Sequence, residues 1–148
     1  MLGHELQSLL LSDVKTKRIF GGIFPRDKLP KTIFKKPIIY IVNTDHSLGT
    51  GLHWVCIYVG VNHVIEYWDS FGFDIRHKEI YDFVHFNSIR YVYNNLVLQP
   101  LFSETCGYYC VFFAKYKSRG VSMRRILRHF RVERPHYNDF VVKRLYYK

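Results

Sequence analysis

Residues 53–68 have the pattern of a β-hairpin. One arm is His53-Trp54-Val55-Cys56-Ile57-Tyr58-Val59, the other His63-Val64-Ile65-Glu66-Tyr67-Trp68, with Gly60-Val61-Asn62 between them. β-branched and aromatic side chains suit a half-buried pleat. A three-residue turn containing glycine closes such a pair of arms. Centred on Val61, this turn sets Val59 opposite His63, Ile57 opposite Ile65, Val55 opposite Tyr67 and His53 opposite Asp69. Directly opposite side chains share a face with Cβ atoms about 4.5–5.5 Å apart. At that separation a carboxylate can hold an imidazole N–H. A two-residue turn would shift the register by one and separate the pair. On spacing alone the plainer reading, a cross-strand His–Asp pair on a surface, stays open beside a catalytic one.

Around the hairpin the chain reads as α+β, with helices at both ends and a mostly antiparallel sheet between. Leu2, Leu6, Leu9 and Leu10 recur at helical spacing and predict a short helix over 2–11. Phe20-Gly21-Gly22-Ile23-Phe24-Pro25 reads as a turn-rich connection. Ile38–Val42 is a short β-branched run, a buried strand, followed by a loop from Asn43 to Gly51. The spacing of Ile80, Phe83 and Val84 predicts a helix over 78–86, and Ile89–Val92 another short strand. Tyr108–Tyr116 is apolar throughout and fits helix or strand; the polar Ser103-Glu104-Thr105 before it favours a capped helix. Ser122 and Asn138 read as N-caps of two further helices, ending near Phe130 and Tyr147.

The chain has 148 residues, which suits one domain spanning 1–148 with one core. Its 48% apolar and 18% aromatic content argues against disorder. No apolar run is long enough to span a membrane, and the N-terminus lacks the pattern of a secretory signal. The formal charge of +10 is unevenly placed. Residues 1–114 carry 11 basic and 10 acidic side chains, whereas residues 115–148 carry 11 basic and 2 acidic. Arg124, Arg125, Arg128, Arg131, Lys143 and Arg144 lie in this basic helical segment, with Lys148 at its end. Such a block points to a polyanion, nucleic acid above all, or to a solubilising surface.

Three cysteines are too few and too odd a number for a disulfide scaffold, and favour a reducing compartment. Cys106 opens the apolar 108–116 segment. A thiol at a helix N-terminus feels the positive end of the dipole, which favours the thiolate. Gly107 leaves room beside the sulfur for a substrate carbonyl. Cys56 and Cys110 are flanked by apolar residues and read as core. A zinc site from His53, Cys56, Cys106 and Cys110 is disfavoured, because a strand His-x-x-Cys points its ligands to opposite faces. No metal is expected.

Taken together, these segments resemble the adenovirus-type (adenain-like) cysteine protease family, within the clan that includes the SUMO-specific proteases. Asn43-Thr44 precedes Gly49-Thr50-Gly51-Leu52-His53-Trp54, which is similar to the family's His-Trp and its glycine-bearing approach. Trp68-Asp69-Ser70-Phe71-Gly72-Phe73 resembles its acidic segment, and Gln99 stands seven residues before Cys106-Gly107-Tyr108-Tyr109-Cys110, the family's spacing. Phe20–Phe24, Asp27 and Leu29-Pro30 resemble its N-terminal part less specifically. The similarity covers residues 18 to about 117. Adenain itself carries Glu at the acidic position, where this chain has Asp69, as the SUMO-protease branch does.

The resemblance implies a Cys106–His53–Asp69 triad with Gln99 at the oxyanion, and Gly51, Trp54 and Gly107 beside the substrate. It implies a viral-type endopeptidase that cleaves precursor structural proteins at glycine-containing sites through a thioester, with the nucleophile at a helix N-terminus. No cofactor is required; DNA or a viral peptide are the implied activators. The family's disulfide-linked peptide mode does not carry over, since 87–98 holds no cysteine. Expected partners are viral precursors and nucleic acid, the latter through the basic segment. A monomer is expected, in the virion and in the host nucleus or cytoplasm. Two alternatives are a deSUMOylating or deubiquitinating peptidase and a silent, basic nucleic-acid-binding capsid protein.

Overall fold

The structure, a computed structural model, describes residues 1–146. Helices α1 (Gly3–Leu11) and α2 (Val14–Ile19) lead into strand β1 (Phe20–Pro25). Strands β2 (Ile38–Asn43), β3 (Trp54–Val59) and β4 (Val64–Trp68) follow, then α3 (Lys78–Phe86) and β5 (Arg90–Tyr93). Helices α4 (Cys106–Lys117), α5 (Met123–Leu127) and α6 (Pro135–Lys143) complete the described chain, with a 3-10 turn at Arg144–Tyr146. The predicted end of the last helix at Tyr147, and the basic Lys148, lie outside the described residues. Among the described residues no helix is long and apolar enough to cross a membrane.

The five strands form one sheet in the order β1-β2-β3-β4-β5. The three central strands pair antiparallel, while β1 runs parallel to β2 and β5 parallel to β4. The fold class is α+β with a mixed sheet. The sheet has helices on both faces, so its central strands read as apolar runs rather than alternations. β2 is buried along its length. Its Ile39 and Ile41 pack with Cys56, Trp68 and the α4 side chains Cys110 and Phe113. Its Ile38, Tyr40 and Val42 face the other way, with Ile57, Ile65 and the α3 residues Ile80, Phe83 and Val84. The Trp68 and Phe113 rings stack with centroids 4.6 Å apart. Each such side chain, fully withdrawn from water, is worth roughly 1.5–3 kcal/mol.

Helix α4 is buried on nearly every side, which explains why its sequence lacks an amphipathic stripe. Its helical rather than extended state is settled by the helices around it: Leu6 and Leu10 of α1, Ile126 of α5 and Val142 of α6 join its cluster.

Several sequence expectations change. The sheet is not mostly antiparallel, since its two edge pairings are parallel. The helix capped by Ser122 ends at Leu127 rather than near Phe130. Phe20–Pro25 is an edge strand, not a turn. A Cβ on Gly21 would come within 2.6 Å of the Tyr40 ring and 2.7 Å of Ile38, so glycine here permits close strand approach. The last helix begins at Pro135, and Asn138 lies inside it. The Asn138 side chain is buried; its Oδ1 accepts the Arg131 N–H at 2.8 Å, and its Nδ2 donates to the Leu98 carbonyl at 3.0 Å. Finally, the hairpin register differs by two. Val59 pairs with Ile65 and Cys56 with Trp68, so the turn is Val61-Asn62-His63, with His63 at φ 63°. Gly60 belongs to the arm, where its N–H reaches the Val64 carbonyl at 3.1 Å.

Candidate active site

A slip of two preserves which face each side chain occupies. The observed register directs His53 towards Phe71 rather than straight at Asp69, and the two rings stack at 4.9 Å. Yet His53, one residue before β3, and Asp69, one residue after β4, still meet. His53 Nε2 and Asp69 Oδ1 are 2.8 Å apart, with the carboxylate buried. Asp69 is fixed from several sides. Its Oδ1 also accepts the Phe71 N–H at 2.8 Å. Asn94 Oδ1 accepts the Asp69 N–H at 2.8 Å, and Asn94 Nδ2 donates to the Asp69 carbonyl at 2.6 Å. Gly72 closes the turn after it: its φ is 73°, and a Cβ there would sit 2.5 Å from the Leu96 backbone.

With Nε2 on Asp69, the second imidazole nitrogen is left for the Cys106 sulfur, which is near enough to act on the His53 charge. Cys106 is the first residue of α4, where backbone N–H groups have no partner within the helix. Burial works against charge on both groups. The Asp69 carboxylate and the Cys106 sulfur outweigh it and lift His53 to about 9. Burial likewise opposes the Cys106 thiolate, but the His53 hydrogen bond and charge, with the Trp54 and Gly107 N–H groups, bring the thiol below its ordinary range. The pair therefore favours imidazolium and thiolate together, an activated nucleophile.

Gln99 is buried and fixed at both ends of its amide. Ser70 Oγ donates to Oε1 at 2.5 Å, and Nε2 donates to the Ser103 carbonyl at 2.7 Å. One Nε2 hydrogen remains for a ligand.

Cys106, His53 and Gln99 line a cleft of about 720 Å³. Its walls include Gly51 and Trp54, two of the three residues expected beside substrate. Gly51 adopts φ 95°, with the Asn43 amide against its open side. Trp54 Nε1 donates to the Met1 carbonyl at 2.9 Å, so the indole also anchors the N-terminal segment, and Met1, Leu2 and Gly3 form part of the wall. Gly107 is different: it is buried under α1, and a Cβ there would meet Met1 at 3.1 Å and Leu6 at 3.3 Å. The room beside the sulfur is filled by the protein's own N-terminal side chains, not left for substrate.

Glu66 and Asp74, the other acids near Asp69, are occupied elsewhere. Glu66 pairs with Lys117 at 2.7 Å and Asp74 accepts from Tyr91 OH at 2.8 Å. Cys56 donates its thiol to the Cys110 carbonyl at 3.7 Å inside the core. Among the described residues no group of three or more His, Cys, Asp or Glu is placed to hold a metal.

Of the basic segment, Lys117 and Arg119 are tied to Glu66 and Asp13 at 2.7 Å each. Arg124, Arg125, Arg128, Arg131 and Arg144 are exposed and Lys143 half-exposed. Among the described residues none of these six forms an ion pair with a carboxylate. Arg131 lies over the Tyr137 ring, Lys143 over Tyr108 and Arg144 over Phe140.

Asn94 and Asp139 carry no sequence signal, and Ser70 and Ser103 only that of the segments they lie in, because each acts through hydrogen bonds set by the fold. Asp139 accepts from Thr105 Oγ1 and from Tyr109 OH, both at 2.8 Å, and so ties α6 to the start of α4.

No protein-family model and no curated protein matches the sequence. Solved structures do. A crystal structure of selenomethionine ASFV pS273R protease is similar with a TM-score of 0.51 and 23% identity, over 70% of this chain and 43% of that one. A second structure of ASFV pS273R protease gives a TM-score of 0.59 and 15% identity, over 90% and 64%. The chain thus spans less than two thirds of the length of either. At these identities the likeness is one of fold: this chain has the fold of the ASFV pS273R protease.

Proposed function

We propose that the chain is a cysteine endopeptidase. One observation carries the reading: a single imidazole with Nε2 on a buried carboxylate at 2.8 Å shares one cleft with a thiol at a helix N-terminus, and each of the two shifts the other's ionisation towards the charged pair. The Cys106 thiolate attacks the scissile carbonyl carbon, and the carbonyl π electrons move to oxygen. The Gln99 amide and the Cys106 backbone N–H hold that oxyanion, each donor worth about 3–4 kcal/mol. His53 gives its proton to the leaving amine as the C–N bond breaks, which leaves a thioester. Water, deprotonated by His53, then cleaves the thioester and restores the thiolate–imidazolium pair. Asp69 keeps the ring oriented and its positive charge stabilised throughout.

The substrates in this reading are precursor structural proteins of a virus, cut at small, glycine-containing sites, by a monomer in the virion and in the host nucleus or cytoplasm. Both the ordered motifs and the fold shared with a viral protease support it. Arg124, Arg125, Arg128, Arg131, Lys143 and Arg144, which form no ion pair with a carboxylate among the described residues, support a reading of stimulation by DNA.

The test is labelling by a vinyl-sulfone probe ending in Gly-Gly, with and without DNA, in wild type, Cys106→Ala and His53→Ala. Labelling that needs both residues and rises with DNA is expected. Labelling of a ubiquitin-like vinyl sulfone in preference to the short probe would favour the deSUMOylating reading. Nucleic-acid binding with no labelling would favour a silent capsid protein.

A further inference from the structure

The cleft wall leading to His53 is the loop 44–52, which contributes His46, Ser47, Gly49, Thr50, Gly51 and Leu52 to the lining. It holds no apolar anchor. Leu48 is 92% and Leu52 71% exposed, and every residue from 46 to 52 is exposed. Polar contacts hold it instead. At its base, Asn43 Oδ1 accepts the N–H groups of Asp45 at 2.9 Å and Leu52 at 3.1 Å, and Asp45 Oδ2 accepts that of Gly51 at 3.0 Å. These bonds close the loop on itself but do not fix its apex against the body.

The apex is fixed by one side chain from elsewhere in the chain. β1 and β2 run parallel and leave the sheet side by side, with Pro25 paired to Asn43. Two residues beyond Pro25, Asp27 reaches across to the loop. Its Oδ1 accepts the Ser47 N–H at 2.7 Å, its Oδ2 accepts the Ser47 hydroxyl at 2.6 Å, and His46 Nε2 lies 3.1 Å from the same oxygen. Both carboxylate oxygens are committed, and neither touches the Cys106–His53 pair. The neighbouring Arg26 adds a bond to the Thr44 carbonyl at 2.6 Å, at the base rather than the apex.

We propose that Asp27 is a positioning residue for substrate: by clamping Ser47 and His46 it holds the 44–52 loop in place as the wall against which a bound peptide lies. The assignment rests on the protease reading. Asp27 acts on capture of the peptide and not on bond cleavage, because the triad is held independently by Asn94, Phe71 and α4.

The test compares Asp27→Ala, Asp27→Asn and Ser47→Ala with wild type in two assays. One is turnover of a fluorogenic peptide ending in Gly-Gly. The other is alkylation of Cys106 by iodoacetamide, which needs the thiolate but not the loop. Asp27→Ala is expected to raise KM about tenfold with kcat within about twofold. Its alkylation rate should equal that of wild type. Asp27→Asn, which keeps one acceptor, and Ser47→Ala, which keeps the N–H contact, should raise KM by less, in that order. They carry the test if Asp27→Ala does not fold. Unchanged KM in the folded variants, or a fall in kcat and alkylation together, overturns the assignment while leaving the protease reading intact. A wild type that turns over no peptide, and whose alkylation is indifferent to His53→Ala, takes down the protease reading and this assignment with it.

Discussion

Ser70 holds the Gln99 amide by a 2.5 Å hydrogen bond to Oε1, which turns Nε2 towards Ser103 and the cleft. A free amide could present either end to the substrate; this one cannot without leaving two buried groups unpaired. Gln99→Ala should therefore lower kcat by about 10²–10³ with little change in KM, since the missing donor acts on charge that develops in the transition state. Ser70→Ala leaves the donor present but unaimed, and a loss of about tenfold is expected. Steady-state kinetics on one peptide series separates the two.

The pH profile follows from the coupled pair. Cys106 ionises below the usual thiol range, so activity rises on the acid side of that range. His53 holds its proton up to about 9, so activity falls as pH passes through about 9. Asp69→Asn removes the negative partner that raises the imidazole, so the alkaline limb should move down towards the ordinary 6.5. A plot of kcat/KM against pH for wild type and variant reads this directly; an alkaline limb that stays in place would exclude Asp69 as the cause.

Asn94 is buried and gives both ends of its amide to the Asp69 backbone. Asn94→Ala leaves a buried N–H and C=O unsatisfied, at a cost of roughly 1–3 kcal/mol. The midpoint of urea unfolding should fall accordingly. Because Asp69 is also released, kcat should fall with it, whereas a comparable loss of stability elsewhere in the core would not move the alkaline limb.

Arg124, Arg125 and Arg128 are exposed on and beside α5, free of carboxylates among the described residues. Replacing all three by Glu should abolish the proposed DNA stimulation and leave basal turnover unchanged. If each meets one phosphate, the slope of log affinity against log salt falls by about 3. Stimulation that survives the triple change would place the nucleic-acid contact elsewhere.

The sequence made the elements of the site visible and left their support hidden. The helix α3 was legible because Ile80, Phe83 and Val84 mark a single face, and β2 because its five apolar residues admit little else. The His53–Asp69 pair was anticipated from a turn centred one residue too early. The error was harmless because His63, rather than Gly60, takes the left-handed position, which moves the register by two and keeps faces intact. A slip of one would have turned the two side chains apart. β1 was illegible because Gly21 and Gly22 signal a turn in isolation, and only the Tyr40 and Ile38 side chains of its neighbour explain why glycine belongs in a strand there. Gly107 misled in the opposite sense: nothing local announces that Met1 and Leu6 come to cover it.

Cys56 and Cys110, in contact through the core, have a consequence for how freely this interior can change. Cys56 lies three residues along the chain from His53, and Cys110 one helical turn from Cys106. The contact therefore joins the strand that follows His53 to the helix that Cys106 opens. A larger side chain at Cys56 would press on that helix carbonyl, so on the protease reading the interior is a ruler as well as a support, and catalytic rate is expected to register a change at Cys56 before thermal stability does.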